Sequence, residues 1–158
     1  MPTARIIKIV LVGTIGLLGL LTGIDNIVDY PTNLADVQHV LSMDMLPRSS
    51  PLLGRAITNA ALQRAAYDVI IGAELLFGTL CLLGAIRLAR GACTAAAKDL
   101  ALIGLGLGLM LYVFGFLLIG GEWFQMWQDG PWNAQQSAFR FAGVIGIVLL
   151  FVALPDEA

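Results

Sequence analysis

The stretch LALIGLGLGLMLYVFGFLLIGGEW, residues 100–123, decides what kind of protein this chain is. No charged residue stands between Leu100 and Glu122. A bilayer's hydrocarbon core is about 30 Å thick, and a helix rising about 1.5 Å per residue crosses it with about 20 apolar residues. The run is long enough, and it lacks the alternation of apolar and polar positions that a barrel strand needs. In hydrocarbon every backbone N–H and C=O must be satisfied within the protein, so an unbroken run of this kind is read as a spanning helix.

Outward from it, three further segments qualify, at about residues 6–28, 67–88 and 138–154, the last being the shortest. Hydrophobic residues make up 58% of the chain and charged ones only 13%, about half the share an average soluble domain carries on its surface. The expected architecture is an all-α membrane protein, a single domain over residues 1–158 built as a four-transmembrane-helix bundle. No linker, repeat or low-complexity tract divides it. The chain has no basic stripe, so nucleic acid is not an expected partner.

Arg5 and Lys8 ahead of the first apolar segment resemble the start of a signal peptide. The apolar run is long, however, and is followed by IDNIVDYP rather than by a small-residue cleavage site, so it is read as an uncleaved span. Arg87, Arg90 and Lys98 fill the second loop against Asp99, and cytoplasmic loops carry such an excess of basic residues. Both termini are therefore expected on the cytoplasmic side of the membrane. The third loop, with Asp129 and no Lys or Arg, agrees; the first, where Arg48, Arg55 and Arg64 face Asp29, Asp36 and Asp44, is neutral on the point.

That first outer loop, residues 29–66, is the main extramembrane mass. Leu34, Val37, Val40 and Leu41 have helical spacing, which predicts a short amphipathic surface helix ended by Pro47 and Pro51. After it, LLGRAITNAALQRAAYD reads either as a second surface helix or as an outer extension of the second span. Within the spans, Gly16, Gly19 and Gly23 form one ridge with Gly13, and Gly104 with Gly108 another, while Gly106 lies off that face. Small residues at such intervals let helix backbones approach closely in lipid, so intrachain packing is expected there.

Polar residues near the span ends are the more informative set. Asp25, Asn26 and Asp29 close the first span, Asp68 and Glu74 open the second, Glu122 closes the third and Arg140 opens the fourth. A charge in hydrocarbon is costly unless paired, so Asp25, Asn26, Asp68, Glu74, Glu122 and Arg140 are expected to form a buried polar cluster, with Arg140 meeting Glu122 or Glu74. Trp123, Trp127 and Trp132 in GGEWFQMWQDGPW (120–132) read as interfacial anchors, with Gly130 and Pro131 turning the chain. His39, Met43 and Met45 in the first loop are read as an outer docking patch.

Reactive chemistry is thin. With His39 as the single histidine, one chain cannot supply the two imidazoles of a bis-histidine haem or a zinc site with two histidines. Cys81 and Cys93 have no C-x-x-C spacing and no neighbouring histidine, and read as inert reduced thiols. No P-loop, G-x-S-x-G or H-E-x-x-H occurs, so no enzymatic activity and no metal are expected. An apolar cleft with aromatic walls at the outer end would suit a bound lipid or quinone.

Several pieces of the chain resemble the bacterial family of predicted small integral membrane proteins called domain of unknown function 2165. They are DNIVDYPTN (25–33), VQHVLSMD (37–44), AAYDVIIGAELL (65–76), GGEWFQMW (120–127) and WNAQQSAFRF (132–141) leading to ALPDE. The resemblance implies a four-span bacterial inner-membrane protein and carries no activity with it. The leading expectation is a non-catalytic accessory subunit of a larger membrane complex, respiratory or photosynthetic, whose partners are lipids and other integral membrane subunits. The alternatives are a small proton-linked carrier using Glu74, Glu122 and Arg140, and a quinone- or haem-associated redox subunit to which His39 contributes a ligand.

Overall fold

The structure is a computed structural model that describes residues 3–91 and 95–155. Cys93 lies outside them. Among the described residues every regular element is helical: α1 (Thr3–Val28), α2 (Tyr30–Ser42), α3 (Ala60–Ala89), α4 (Ala95–Met110) and α5 (Gln135–Ala153). Four helices are long and apolar enough to cross a membrane, namely α1, α3, Ala96–Trp123 and α5.

The order α1–α3–α4–α5 is also the order of packing. α3 is central, with α1 on one side and α4 on the other, and α5 lies against α4 and its continuation. The glycine ridges explain how closely these helices meet. A Cβ on Gly78 of α3 would stand 2.7 Å from the backbone nitrogen of Leu20, and one on Gly16 of α1 would stand 2.8 Å from that of Leu82. Across the other face of α3, a Cβ on Gly104 would lie 2.8 Å from the Cys81 nitrogen and one on Gly84 would lie 2.8 Å from the Ala101 Cα. Backbone meets backbone at both seams, which only glycine allows. Gly106 has nothing within 4 Å, as its place off the ridge requires.

Between these seams Val12, Ile15, Phe77, Leu105, Ile145 and Val152 fill the core. At the end that carries both termini, basic side chains close the helices. Arg5 Nη2 donates to the Leu88 carbonyl at 2.7 Å, while Lys8 and Lys98 donate to the Leu154 carbonyl at 2.9 and 2.7 Å. The last carbonyls of a helix have no partner within it and carry partial negative charge, so cations are stabilising there. Lys8 reaches its carbonyl from a site only 5% exposed.

The opposite end is organised by α2. Pro31 stands in its first turn, where a missing N–H costs nothing, and Met43 in the left-handed region ends it, its N–H bonding to the Val40 carbonyl. Leu34, Val40 and Leu41 are buried, as the helical spacing predicts. The chain then makes a short 3₁₀ turn at Pro51–Arg55, and α3 begins at Ala60, where Asn59 Oδ1 accepts from the Ala61 and Leu62 amides. The second span thus extends outward from Tyr67 instead of being preceded by a separate helix.

The third span changes its winding. From Leu111 to Trp123 it is a π-helix, with the i→i+5 bond still visible where the Phe124 amide meets the Ile119 carbonyl at 3.0 Å. Such winding is rare in helices and recurs near functional sites. Gly115, Gly120 and Gly121 lie in this segment. Its wider backbone faces the space beneath α2.

Candidate functional site

The deepest carboxylate of the α2 end is Glu74, 2% exposed in the middle of α3. Asn26 Nδ2 of α1 donates to Glu74 Oε2 at 2.7 Å, and the Tyr67 hydroxyl, about two turns nearer the start of α3, donates to the Asn26 carbonyl at 2.9 Å. The same hydroxyl is 3.2 Å from Asn26 Oδ1. Close by, the Tyr30 hydroxyl donates to Asp68 Oδ1 at 2.7 Å, and the rings of Tyr30 and Tyr67 lie 4.8 Å apart. That bond to an acceptor carboxylate pushes the Tyr30 phenol above its ordinary pKa.

The structure therefore brings together part of the expected polar cluster. Asn26, Glu74 and, through Tyr30, Asp68 are linked or adjacent, but Asp25 and Asp68 are exposed. Glu122 and Arg140 are exposed too, and among the described residues no ion pair joins Arg140 to Glu122 or to Glu74. An amide, not a guanidinium, answers the buried Glu74. Glu122 and Arg140 both lie on the outer surface of the bundle near the span ends.

The tryptophans and the outer patch divide likewise. Trp123 and Trp127 are about half exposed, at 53% and 52%, and Arg55 stacks 4.6 Å over the Trp123 ring while donating to its carbonyl. Trp132 stacks on His39 with ring centroids 5.0 Å apart. His39 Nδ1 is 2.8 Å from Asp44 Oδ2. Met43 corrects the docking-patch expectation: it is fully buried with Leu46, Phe124 and Met126, because ending α2 turns its side chain inward. Met45 packs on the margin of that cluster.

Beneath α2 lies a cavity of about 500 Å³, bounded by α2, α3, the π-helical segment and the 124–134 loop. Val37, Val40, Ile70, Phe116, Ile119 and Phe124 supply apolar wall, and Tyr67, Asn26, Asn33, Asp36 and Trp132 stand at its polar parts. The volume falls in the range of about 300–1,000 Å³ typical of small-molecule sites.

Two acids at this end of the bundle were read from the sequence only as loop charges. Asp129 is 4% exposed, with Oδ1 accepting from the Trp132 amide at 3.2 Å and Oδ2 buried without a hydrogen-bond partner. Asp36 borders the cavity, and its Oδ1 is likewise buried and unpartnered. Burial above all lifts the Asp36 carboxyl above the ordinary carboxylate range; His39 works against this and Asp129 adds to it. A signal was available for Asp36: it stands four residues before Val40 and so borders the buried stripe of α2. For Asp129 the DGP turn predicts a side chain bonding its own loop, which is what it does.

Comparison with curated proteins gives no match, and comparison with solved structures gives none. Residues 4–155, nearly the whole chain, match the profile of the family described as predicted small integral membrane protein, and the chain belongs to that family, domain of unknown function 2165.

Proposed function

We propose that this protein is a non-catalytic accessory subunit of a bacterial inner-membrane complex, and that it holds one membrane-derived amphiphile in the cavity beneath α2. In this reading both termini are cytoplasmic, α2 lies at the outer surface, and the lipid-facing sides of the four spans meet lipids and neighbouring subunits. The observation that carries it is the cavity itself, about 500 Å³ with largely apolar walls and its few polar groups gathered around Asn26, Asn33 and Asp36. An apolar space with a small set of placed polar groups is the usual form of a site for a hydrophobic ligand.

Two measurements test it. The protein extracted in mild detergent should retain about one amphiphile by native mass spectrometry, and Gly115→Leu, which adds side-chain bulk at the cavity wall where a Cβ meets nothing nearer than 3.6 Å, should displace it. Crosslinking in native membranes should capture a distinct integral membrane partner. Extraction as a lone monomer with no retained ligand and no crosslinked partner overturns the reading.

Glu74 favours a second reading, a proton-linked carrier. A carboxylate 2% exposed inside a span, hydrogen-bonded through Asn26 to a cavity wall, has the chemistry of a proton-binding group. Glu74→Gln should then abolish a proton-coupled flux in reconstituted vesicles, and unchanged flux removes this reading. A haem or quinone role gains less: His39 is engaged with Asp44 and Trp132 at the α2 end, apart from the core between the spans.

A further inference from the structure

The cavity has a chemical polarity that its shape does not explain. The amide and hydroxyl donors on its wall are already engaged: Asn26 with Glu74, Tyr67 with Asn26, and Asn33 Nδ2 with the Asp29 carbonyl at 3.3 Å. What is left over is acceptor. Asp36 is the carboxylate among the lining residues, none of which is basic, and its Oδ1 has no hydrogen-bond partner; Asp129, which does not line the cavity, adds to the rise of the Asp36 carboxyl. A carboxylate with no cation beside it in an apolar cavity is costly, and a ligand that brings N–H donors and positive charge to Asp36 supplies what the lining lacks. A quinone carbonyl would set lone pair against lone pair.

Resting on the ligand-holding reading above, we infer that the cavity takes an amphiphile with a primary ammonium headgroup, seated at Asp36 beside the Trp132 ring, with its alkyl tail among Val37, Ile70 and Ile119. All five residues border the same cavity. Charge and donors are both needed, because the Asp36 carboxylate finds neither a basic residue nor a free amide donor among the other lining residues named above. Trp132 contributes an aromatic face, which attracts cations. The nearest basic group on α2, His39, does not take this place, since its Nδ1 is held at 2.8 Å by Asp44. The elevated Asp36 carboxyl agrees with a site whose cation is supplied by the ligand.

The test uses the full-length protein in detergent, with ligand retention read by native mass spectrometry. The probes are n-dodecylamine, n-dodecanol, dodecyltrimethylammonium and a short-chain benzoquinone. The expected result is one equivalent of dodecylamine bound at least about tenfold tighter than dodecanol or the trimethylammonium. Asp36→Asn should bring dodecylamine down to the affinity of dodecanol while leaving dodecanol binding unchanged, which also reports that the variant is folded. Equal binding of all the probes, preference for the quinone, equal binding of the trimethylammonium, or an amine preference that survives Asp36→Asn each overturns the headgroup assignment while leaving a ligand cavity. Retention of no probe overturns the assignment and the cavity's role together.

Discussion

At the end of the bundle that carries the termini, each strongly placed polar group closes something: Arg5, Lys8 and Lys98 cap the last carbonyls of α3 and α5, and the helices above them touch through glycine. At the α2 end the helices separate, the third span widens into a π-helix, and the space between holds a cavity with unpartnered carboxylate oxygens on and near its wall. The polar groups differ in kind, basic side chains at the terminal end and carboxylates, amides and tyrosines at the α2 end. At the terminal end three cations reach helix carbonyls, although Arg5 Nε is buried without a partner, while the α2 end combines unpartnered carboxylate oxygens with a cavity. Protein interiors are close-packed and their buried polar groups are bonded, so departures from both at one place mark where something else is to be accommodated.

The comparison breaks first if the glycine seams are not what holds the closed half together. Gly78→Leu, whose Cβ alone would stand 2.7 Å from the Leu20 nitrogen, should cost roughly 3 kcal/mol in detergent unfolding, whereas Gly106→Leu, facing open space, should stay within about 0.5 kcal/mol. Equal effects would mean that the seam is not tight. Next in size is the buried carboxylate. Glu74→Leu leaves the Asn26 amide without its acceptor and should cost about 2 kcal/mol, with Glu74→Gln costing less because a carbonyl oxygen remains; the same unfolding assay checks the order.

Lys8→Met tests the terminal end. It removes one of the donors to the Leu154 carbonyl and should lower stability by about 1 kcal/mol, with faster amide exchange in the last turn of α5. The smallest effect concerns pH. Because the Asp36 carboxyl is raised in the folded protein, the folded state binds more protons than the unfolded one in the window from the ordinary carboxylate pKa of about 3.9 up to the raised value. Stability of the α2 end is therefore greatest below that window and declines as pH rises through it. Amide exchange in α2 should slow modestly on acidification through that window, and Asp36→Asn should flatten the response.

Much of this was legible in the chain. The four spans follow from apolar runs of the required length, and the seams from the i, i+3 and i+4 spacing of Gly16, Gly19, Gly23, Gly104 and Gly108, because helical periodicity is a local property. The helix at Tyr30–Ser42 followed from Leu34, Val37, Val40 and Leu41 in the same way. Within the expected cluster, Arg140 was set to meet Glu122 or Glu74, whereas the side chain that reaches Glu74 is Asn26. Charge complementarity names a preferred partner; it does not say which side chain lies within reach.

What the sequence by itself determined is the membrane class, the number and order of spans and the faces on which α1 and α4 meet α3, since length, apolarity and glycine period act along the chain. What only the tertiary structure decided is which polar groups are buried together. Asp36 and Asp129 lie far apart in sequence and carry no motif, and Met43 and Trp132 look alike as outer apolar residues until one is found in the core and the other on the cavity wall. Burial and pairing depend on distances between helices, and no local pattern encodes those.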